Sequence, residues 1–433
     1  MTSCLRDRLA VGSCAGMGLA ISTGHPMGMI VAAAMPYACL MTTTNKGGFR
    51  AAFAYYLAAL WPMIAGLGRY LGPSSTVLIA LAVWMLGAIA LSLPWALAAT
   101  GHRAQYLWRA PLALASTVLP PLGIIGLASP LSGAGYLFPG TGWLGLATVA
   151  LLPAILLAAE PLVGRQRRVV ACCTMALCAG LAIGPRLLGS TDREAPRGWV
   201  AVNTYFGDVS EPFRDFAAAQ FIQETAAKAP ARVLIFPEAV VPRWSEATEA
   251  FWQDLLDRCR KRSQVLVFGA GLPVPRHDDS ATLSDLQRYD FGTALRALKS
   301  MDRQPASMPV LGLPSSEPTD NALLLVGANS GTFYQRVPVP IGMWKPFSRD
   351  GVPLRLNAPG VLNVDDQCAA ILICYEQMLT FPVLASMLQH PTVLVGISNT
   401  FWVSGTSIPR YQANAVRGWA RLFRLPYLVA VNS

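Results

Sequence analysis

The sequence predicts a bundle of membrane-spanning helices followed by an α/β domain. Three observations carry that reading. Charge is sparse up to about residue 190 and ordinary beyond it, so a chain that is 53% hydrophobic and 13% charged on average is built for two solvents. Apolar runs near the length that crosses a hydrocarbon core recur through the first part. Short apolar runs then alternate with helical patterns through the second, which indicates a sheet covered by helices.

The apolar runs fall at about 9–22, 27–43, 51–69, 74–98, 109–129, 142–163 and 168–187, giving about seven spans in a domain of residues 1–190. A cleavable signal peptide would end after one short apolar core, and this succession argues against one. Trp61, Trp95, Trp108 and Trp143 sit near the expected ends, as interfacial anchors do. Arg6 and Arg8, Lys46 and Arg50, Arg103 and Arg109, and Arg165, Arg167 and Arg168 occupy every second connection, whereas the others hold little beyond Arg69 and Arg186. The positive-inside rule then sets the N-terminus in the cytoplasm and, after an odd number of crossings, the second domain in the periplasm of a bacterial inner membrane. Gly140 to Gly145 contains a GxGxxG string, but it follows no strand and reads as a membrane loop rather than a dinucleotide site.

Composition excludes other classes. The net charge of +10 is spread along the chain with no basic run interleaved with aromatics, so direct nucleic-acid binding is not expected. Cys4, Cys14, Cys39, Cys172, Cys173 and Cys178 lie in or beside apolar segments, leaving Cys259, Cys368 and Cys374, none in a pair with zinc-ligand spacing. His25, His102, His277 and His390 are scattered, and neither metal nor cofactor is expected.

A turn-rich linker at 191–198 leads into a domain at 199–433. Strands are expected at 200–206, 233–236, 265–269, 322–326, 332–337, 361–364, 369–373, 393–397 and 427–431. Helices are expected at 212–228, 246–262, 377–388 and 410–423, with an irregular polar insertion at 273–318. Reactive side chains in such sheets belong at the carboxyl ends of strands. Two places satisfy this: Ile235-Phe236-Pro237-Glu238 sets an acid past one strand, and Ile371-Leu372-Ile373-Cys374-Tyr375-Glu376 sets a thiol past another, ahead of a helix. Read singly, Glu238 is equally a helix cap and Cys374 a small buried residue. Read together, a helix start and a nearby cation would favour the thiolate at Cys374.

These residues resemble the carbon–nitrogen hydrolase (nitrilase) superfamily, whose sites combine a glutamate after one strand, a lysine after another and a cysteine at a strand-to-helix turn. Phe236-Pro237-Glu238 and Ile373-Cys374-Tyr375-Glu376 carry the match. With a membrane bundle ahead of that domain, the layout is similar to apolipoprotein N-acyltransferase. Ile397-Ser398-Asn399-Thr400-Phe401-Trp402, with Gln412 and Arg417 after it, resembles that family's segment following the nucleophile. Closer still is the conjugal-transfer TraB group, through Gln335-Arg336-Val337-Pro338-Val339-Pro340, Met343-Trp344, Cys374-Tyr375-Glu376-Gln377 and Trp419-Ala420-Arg421-Leu422-Phe423.

The resemblance implies an αββα sandwich with Glu238 as general base, Cys374 as nucleophile and Tyr375, Glu376 and Trp402 in support. Glu376 either orients the site or caps the following helix. The third member is open. Arg336 stands where the acyltransferase has its lysine, Met343 stands where it has a further glutamate, and Lys345 lies near in sequence. An arginine supplies charge but is a poor proton donor. Against the acyltransferase the chain stops at Asn432-Ser433, before that family's last strands and final helix. The functions implied are a TraB-type transfer factor forming a cysteine thioester, a non-catalytic envelope scaffold, or a lipoprotein N-acyltransferase. The partners implied are the inner-membrane bilayer, an acyl-donor lipid or envelope protein, and the conjugation machinery.

The alternation of cations generates a first prediction. A reporter active only in the periplasm should work when fused after Arg193 and fail near Arg50 or Arg167; the reverse pattern would overturn the orientation.

Overall fold

A computed structural model describes residues 3–42, 44–71, 76–99, 105–187, 192–208, 214–273, 319–345 and 351–433. Arg103, His102, His277, residue 191 of the expected linker and nearly all of the expected 273–318 insertion lie outside the described residues.

The first half is helical: α1 (Ser3–Ser22), α2 (Pro26–Ala32), α3 (Met35–Leu40), α4 (Asn45–Leu60), α5 (Pro62–Leu71), α6 (Thr76–Ala98), α7 (Tyr106–Val118), α8 (Ala134–Leu137), α9 (Trp143–Ala159) and α10 (Arg165–Leu187). Among the described residues two helices are long and apolar enough to cross a membrane, Val77–Ala98 and Arg165–Leu187. The pair α4 and α5, bent by 48° at Trp61-Pro62, makes a third if it is one broken span.

Two of the other expected spans differ for identifiable reasons. The 27–43 run divides into α2 and α3, whose apolar residues Met29, Ala32, Met35, Cys39 and Leu40 are buried among neighbouring helices. The 109–129 run leaves the helix after Val118, where Pro120-Pro121 cannot continue it. Apolar composition alone does not separate a helix facing lipid from one facing other helices.

The second half holds two sheets. In the first, β1 (Trp199–Ala201), β2 (Val233–Ile235) and β3 (Val265–Pro273) run parallel, and β4 (Thr319–Gly327) and β5 (Gly331–Tyr334) follow antiparallel. In the second, β6 (Val361–Val364) lies antiparallel to β7 (Gln367–Ile373), which is parallel to β8 (Val393–Asn399) and then β9 (Tyr427–Asn432). Alternate residues of both sheets meet in one core: Val233, Ile235, Val265, Val267, Leu323 and Leu325 face Ala369, Ile371, Ile373, Val393, Val395 and Ile397. Helices α11 (Arg214–Lys228), α12 (Glu246–Phe251) and α13 (Gln253–Lys261) flank the first sheet, and Ile222, Leu255 and Leu256 pack on Leu234, Leu266 and Phe268 of its outer face. The second sheet is flanked by α14 (Thr380–Met387) and α15 (Ile408–Phe423).

That last layer joins the two halves. Val416, Trp419, Ala420 and Leu422 of α15 belong to the same apolar cluster as Leu131, Ala134 and Tyr136 of the helical half. The closest approach is between Gly135 of α8 and α15, where a Cβ on Gly135 would meet the carbonyl oxygen of Gly418 at 1.7 Å. The Gly140–Gly142 turn caps the end of α15, its two N–H groups donating to the carbonyls of Arg421 and Leu422, each at 2.8 Å. Both glycines have positive φ, 75° and 56°, which L side chains rarely adopt. The glycine-rich string thus closes a helix end.

Gly135→Val should therefore lower the unfolding temperature of the detergent-solubilised chain, by an overpacking cost of about 1–3 kcal/mol. Gly12→Ala, where a Cβ meets nothing within 4 Å, should change it little. Equal behaviour of the two variants would show that α15 does not depend on this contact.

Candidate active site

Parallel strands deliver their carboxyl ends to one edge of the sandwich. After Ile235 the chain turns through Phe236-Pro237 to Glu238, and Ala239 takes φ +55°. This turn lies against β3, where a Cβ on Gly269 would come within 2.4 Å of Glu238 Cα. After Ile373 the chain turns sharply at Cys374, whose φ is +49°, into a short 3-10 helix, Cys374–Met378. For a non-glycine residue that conformation costs about 1–2 kcal/mol and persists only when its surroundings fix it. Here they do: the Cys374 carbonyl accepts from Gln412 Nε2 at 3.0 Å, and Gln377 Nε2 donates to the carbonyls of Leu372 and Ile397 at 3.3 and 3.0 Å.

Glu238 is buried and fully engaged. Asn321 Nδ2 donates to its Oε1 at 2.5 Å and the backbone N–H of Asn399 donates to Oε2 at 2.8 Å, and the Cys374 thiol lies near enough for the two groups to influence each other electrostatically. Burial raises the Glu238 pKa from the usual carboxylate range, against the lowering effect of these donors. Cys374 is pushed well above an ordinary thiol, first by burial and then by the negative charge of Glu238. The thiolate expected from a helix start and a cation is thus not the resting form. The charge that acts on it is the negative one of Glu238, which favours the protonated thiol.

The remaining expected residues divide. Lys345, Cys374, Glu238 and Trp402 line one cavity of about 360 Å³, together with Asn321 and Met343. Lys345 reaches it from a tight turn in which the N–H groups of Met343 and Trp344 donate to Val339 O at 2.8 and 3.0 Å, and Ile341 has φ +68°. Arg336 does not line the cavity. It is 1% exposed in the core, with Nη1 on Pro382 O and Ser386 Oγ, both at 3.1 Å, Nη2 on Ile371 O at 3.2 Å, and Nε 3.4 Å from Glu376 Oε1. Glu376 is fully buried rather than an exposed cap, accepting from the N–H groups of Arg336, Val337 and Ile373 at 2.6, 3.1 and 3.1 Å. Tyr375 points away from the cavity, its hydroxyl donating to Ile124 O of the helical half at 3.0 Å. Trp402 is fixed by its indole N–H on Asn399 O at 2.9 Å.

Sequence reasoning missed Asn321, Gln335 and Asn399. Asn321 Nδ2 also donates to Gln335 Oε1 at 3.0 Å, and Gln335 Nε2 to Ile373 O at 3.2 Å, so the amides link the acid to the strand that ends at the thiol. The available signal was polarity out of place: Asp320-Asn321 opens an otherwise apolar strand, and Ser398-Asn399 ends one.

No family model matches the chain. It is 25% identical over 451 aligned positions to a probable conjugal transfer protein TraB of Sinorhizobium fredii, covering 99% of each. It is 28% identical over 333 positions to conjugal transfer protein TraB of Agrobacterium fabrum, covering 73% of this chain and 64% of that one, so it spans just under two thirds of that relative. Among solved structures, a mutant of the Nesterenkonia AN1 amidase from the nitrilase superfamily aligns at 14% identity and TM-score 0.31, covering 55% of this chain and 78% of that one. Another Nesterenkonia amidase structure aligns at 15% identity and TM-score 0.31, covering 54% and 74%. From end to end, then, the chain is similar to a probable conjugal transfer protein TraB, and over most of its length to a second protein of that name.

Proposed function

We propose that this chain is a membrane-bound conjugal-transfer factor whose nitrilase-like domain, on the periplasmic side, transfers an acyl group or hydrolyses an amide through a thioester on Cys374. The observation that carries the reading is the convergence of Cys374, Glu238 and Lys345 on one cavity. In this reading α1, α2 with α3, α7 and α9 cross the membrane beside α6, α10 and the bent pair α4 and α5, giving the seven crossings expected from the sequence.

The chemistry follows from that arrangement. Glu238 removes the thiol proton as sulfur attacks the acyl carbonyl, so the S–C bond forms without a free thiolate having to build up beside a carboxylate. Lys345 stabilises the oxyanion of the tetrahedral intermediate. Its collapse breaks the bond to the leaving group, which takes the proton from Glu238. An amine or water then attacks the thioester, Glu238 again accepts the proton, and the thiol is regenerated. The acyl donor is a membrane lipid or an envelope protein, and the conjugation machinery is the partner system. The scaffold reading finds support in the protonated resting state of Cys374 and the non-lysine residue at position 336. A cysteine mutant separates the two: Cys374→Ser, inserted at parental level, should lose both the acyl-enzyme and plasmid transfer, whereas transfer at the parental rate with no thioester trapped would leave the scaffold.

The two cations are assigned by a pair of variants. Lys345→Ala should slow acyl-enzyme formation from a p-nitrophenyl ester, followed by intact mass, about 100-fold, with little change in stability. Arg336→Met leaves Glu376 buried without its cation and should cost about 3–5 kcal/mol of stability. An acylation rate untouched in Lys345→Ala would remove lysine from the mechanism.

The raised Glu238 pKa sets the pH dependence. Below it the carboxyl is protonated and cannot accept from Cys374, so alkylation of Cys374 by iodoacetamide should rise with pH along a limb displaced above ordinary carboxylates and missing in Glu238→Gln. Stability runs the other way. A group whose folded pKa exceeds its unfolded one favours the fold fully below the unfolded value and loses that contribution as pH rises through the folded one. The unfolding temperature of the parent relative to Glu238→Gln should therefore fall across that interval, and a constant difference would contradict the assigned shift.

A further inference from the structure

A second cavity, of about 340 Å³, lies where α4 begins and α6 ends, at the opposite ends of these helices from the residues that border Tyr375. Its walls divide by chemistry. Asn45, Arg109 and Ser116 are polar, whereas Pro94, Leu97 and Trp108 are apolar or aromatic, and the described lining holds no carboxylate. One guanidinium N–H of Arg109 donates to Leu97 O at 2.9 Å, and the group sits 4.9 Å from the centre of the Trp108 ring. Its Nε–H is shielded from solvent and has no hydrogen-bond partner among the described residues. A shielded N–H donor without an acceptor is costly, and a ligand oxygen would supply one. Lys46 and Arg50 stand exposed on the first turns of α4, and Asp7, whose carboxylate lies against Gly47, offsets only part of that charge.

We propose that this cavity binds a phosphate group, either on the headgroup of an anionic phospholipid or as free phosphate. The Arg109 guanidinium supplies the charged donor, and Asn45 and Ser116 supply hydrogen bonds. Pro94, Leu97 and Leu112 give the apolar contact that a glycerol backbone and the first acyl carbons require. The phospholipid arm rests on the membrane reading of the helical half. Neither arm rests on the chemistry of Cys374, so the two can fail separately.

The test uses the full chain in an uncharged detergent, titrated in parallel with phosphatidylglycerol, with diacylglycerol of the same acyl chains, and with inorganic phosphate. Native mass spectrometry reads retention, and the unfolding temperature reads stabilisation. Phosphatidylglycerol should be retained and raise the unfolding temperature, while diacylglycerol, which lacks only the phosphoglycerol, should do neither. Inorganic phosphate binding without lipid retention would assign the site to free phosphate. Arg109→Gln should weaken retention at least about tenfold, the loss of one charged hydrogen bond. Ala113→Leu fills the cavity while keeping the arginine and should do the same, so the proposal stays testable if Arg109→Gln does not fold. Arg165→Gln, on an exposed residue outside the cavity, should bind like the parent. Equal retention by the parent and Ala113→Leu, retention of diacylglycerol as strong as that of phosphatidylglycerol, or binding of neither phosphate source would overturn it.

Discussion

The buried carboxylate of Glu376 is the constraint on which the rest of the site depends. One of its oxygens accepts from the backbone of Arg336 and Val337 and the other from Ile373, so a single side chain ties the segment after β5 to the last residue of β7. A buried carboxylate is stable only with such donors and a countercharge, and the Arg336 side chain supplies the charge 3.4 Å away. Fixing Ile373 from below holds the turn in which Cys374 keeps its left-handed conformation. Fixing Val337 sets the start of the strand-like segment that ends in the turn carrying Lys345. The thiol and the ammonium thus share a cavity because both of their supports are anchored to the same carboxylate.

The helical half is part of the same mechanical unit. Tyr375, adjacent to Cys374, is buried and hydrogen-bonded to Ile124 O. Helix α15, which holds the Cys374 carbonyl through Gln412, is capped by Gly140 and Gly142 and approached closely by Gly135. The outer layer that a free-standing sandwich would present to water is here covered by apolar helices. This accounts for the burial of Val416, Trp419 and Leu422, whose side chains would otherwise form a large exposed patch.

How much of this was legible in the sequence depends on whether the signal was local. The approximate positions of the strands, the turn at Glu238 and the turn at Cys374 were readable because period, turn residues and a polar residue past an apolar run are local features. The helical half was harder: α2 and α3 are as apolar as a span but bury their residues against protein, and hydropathy reports composition rather than partner. Asn321 and Asn399 were missed because their roles depend on which strands become neighbours across the two sheets. Asn321 reaches Glu238 only because antiparallel β4 brings its start beside the end of β3, a pairing that spans the stretch 274–318.

The position of the cation shows why alignment to a family pattern needed geometry to complete it. Arg336 occupies the expected sequence slot, yet its longer, planar group satisfies three acceptors in the core and leaves nothing facing the cavity. A guanidinium is well suited to that task, since it is always charged and its donors match several fixed acceptors at once. An ammonium on a flexible stem suits the cavity wall, where a developing oxyanion has to be met and released. In the mechanism proposed above, two demands, a countercharge for the buried acid and a donor for the reacting group, would be divided between Arg336 and Lys345. The turn from Val339 to Lys345 is pinned by its own backbone hydrogen bonds, and Glu376 holds the segment that leads into it, so the two together set the lysine at the cavity wall.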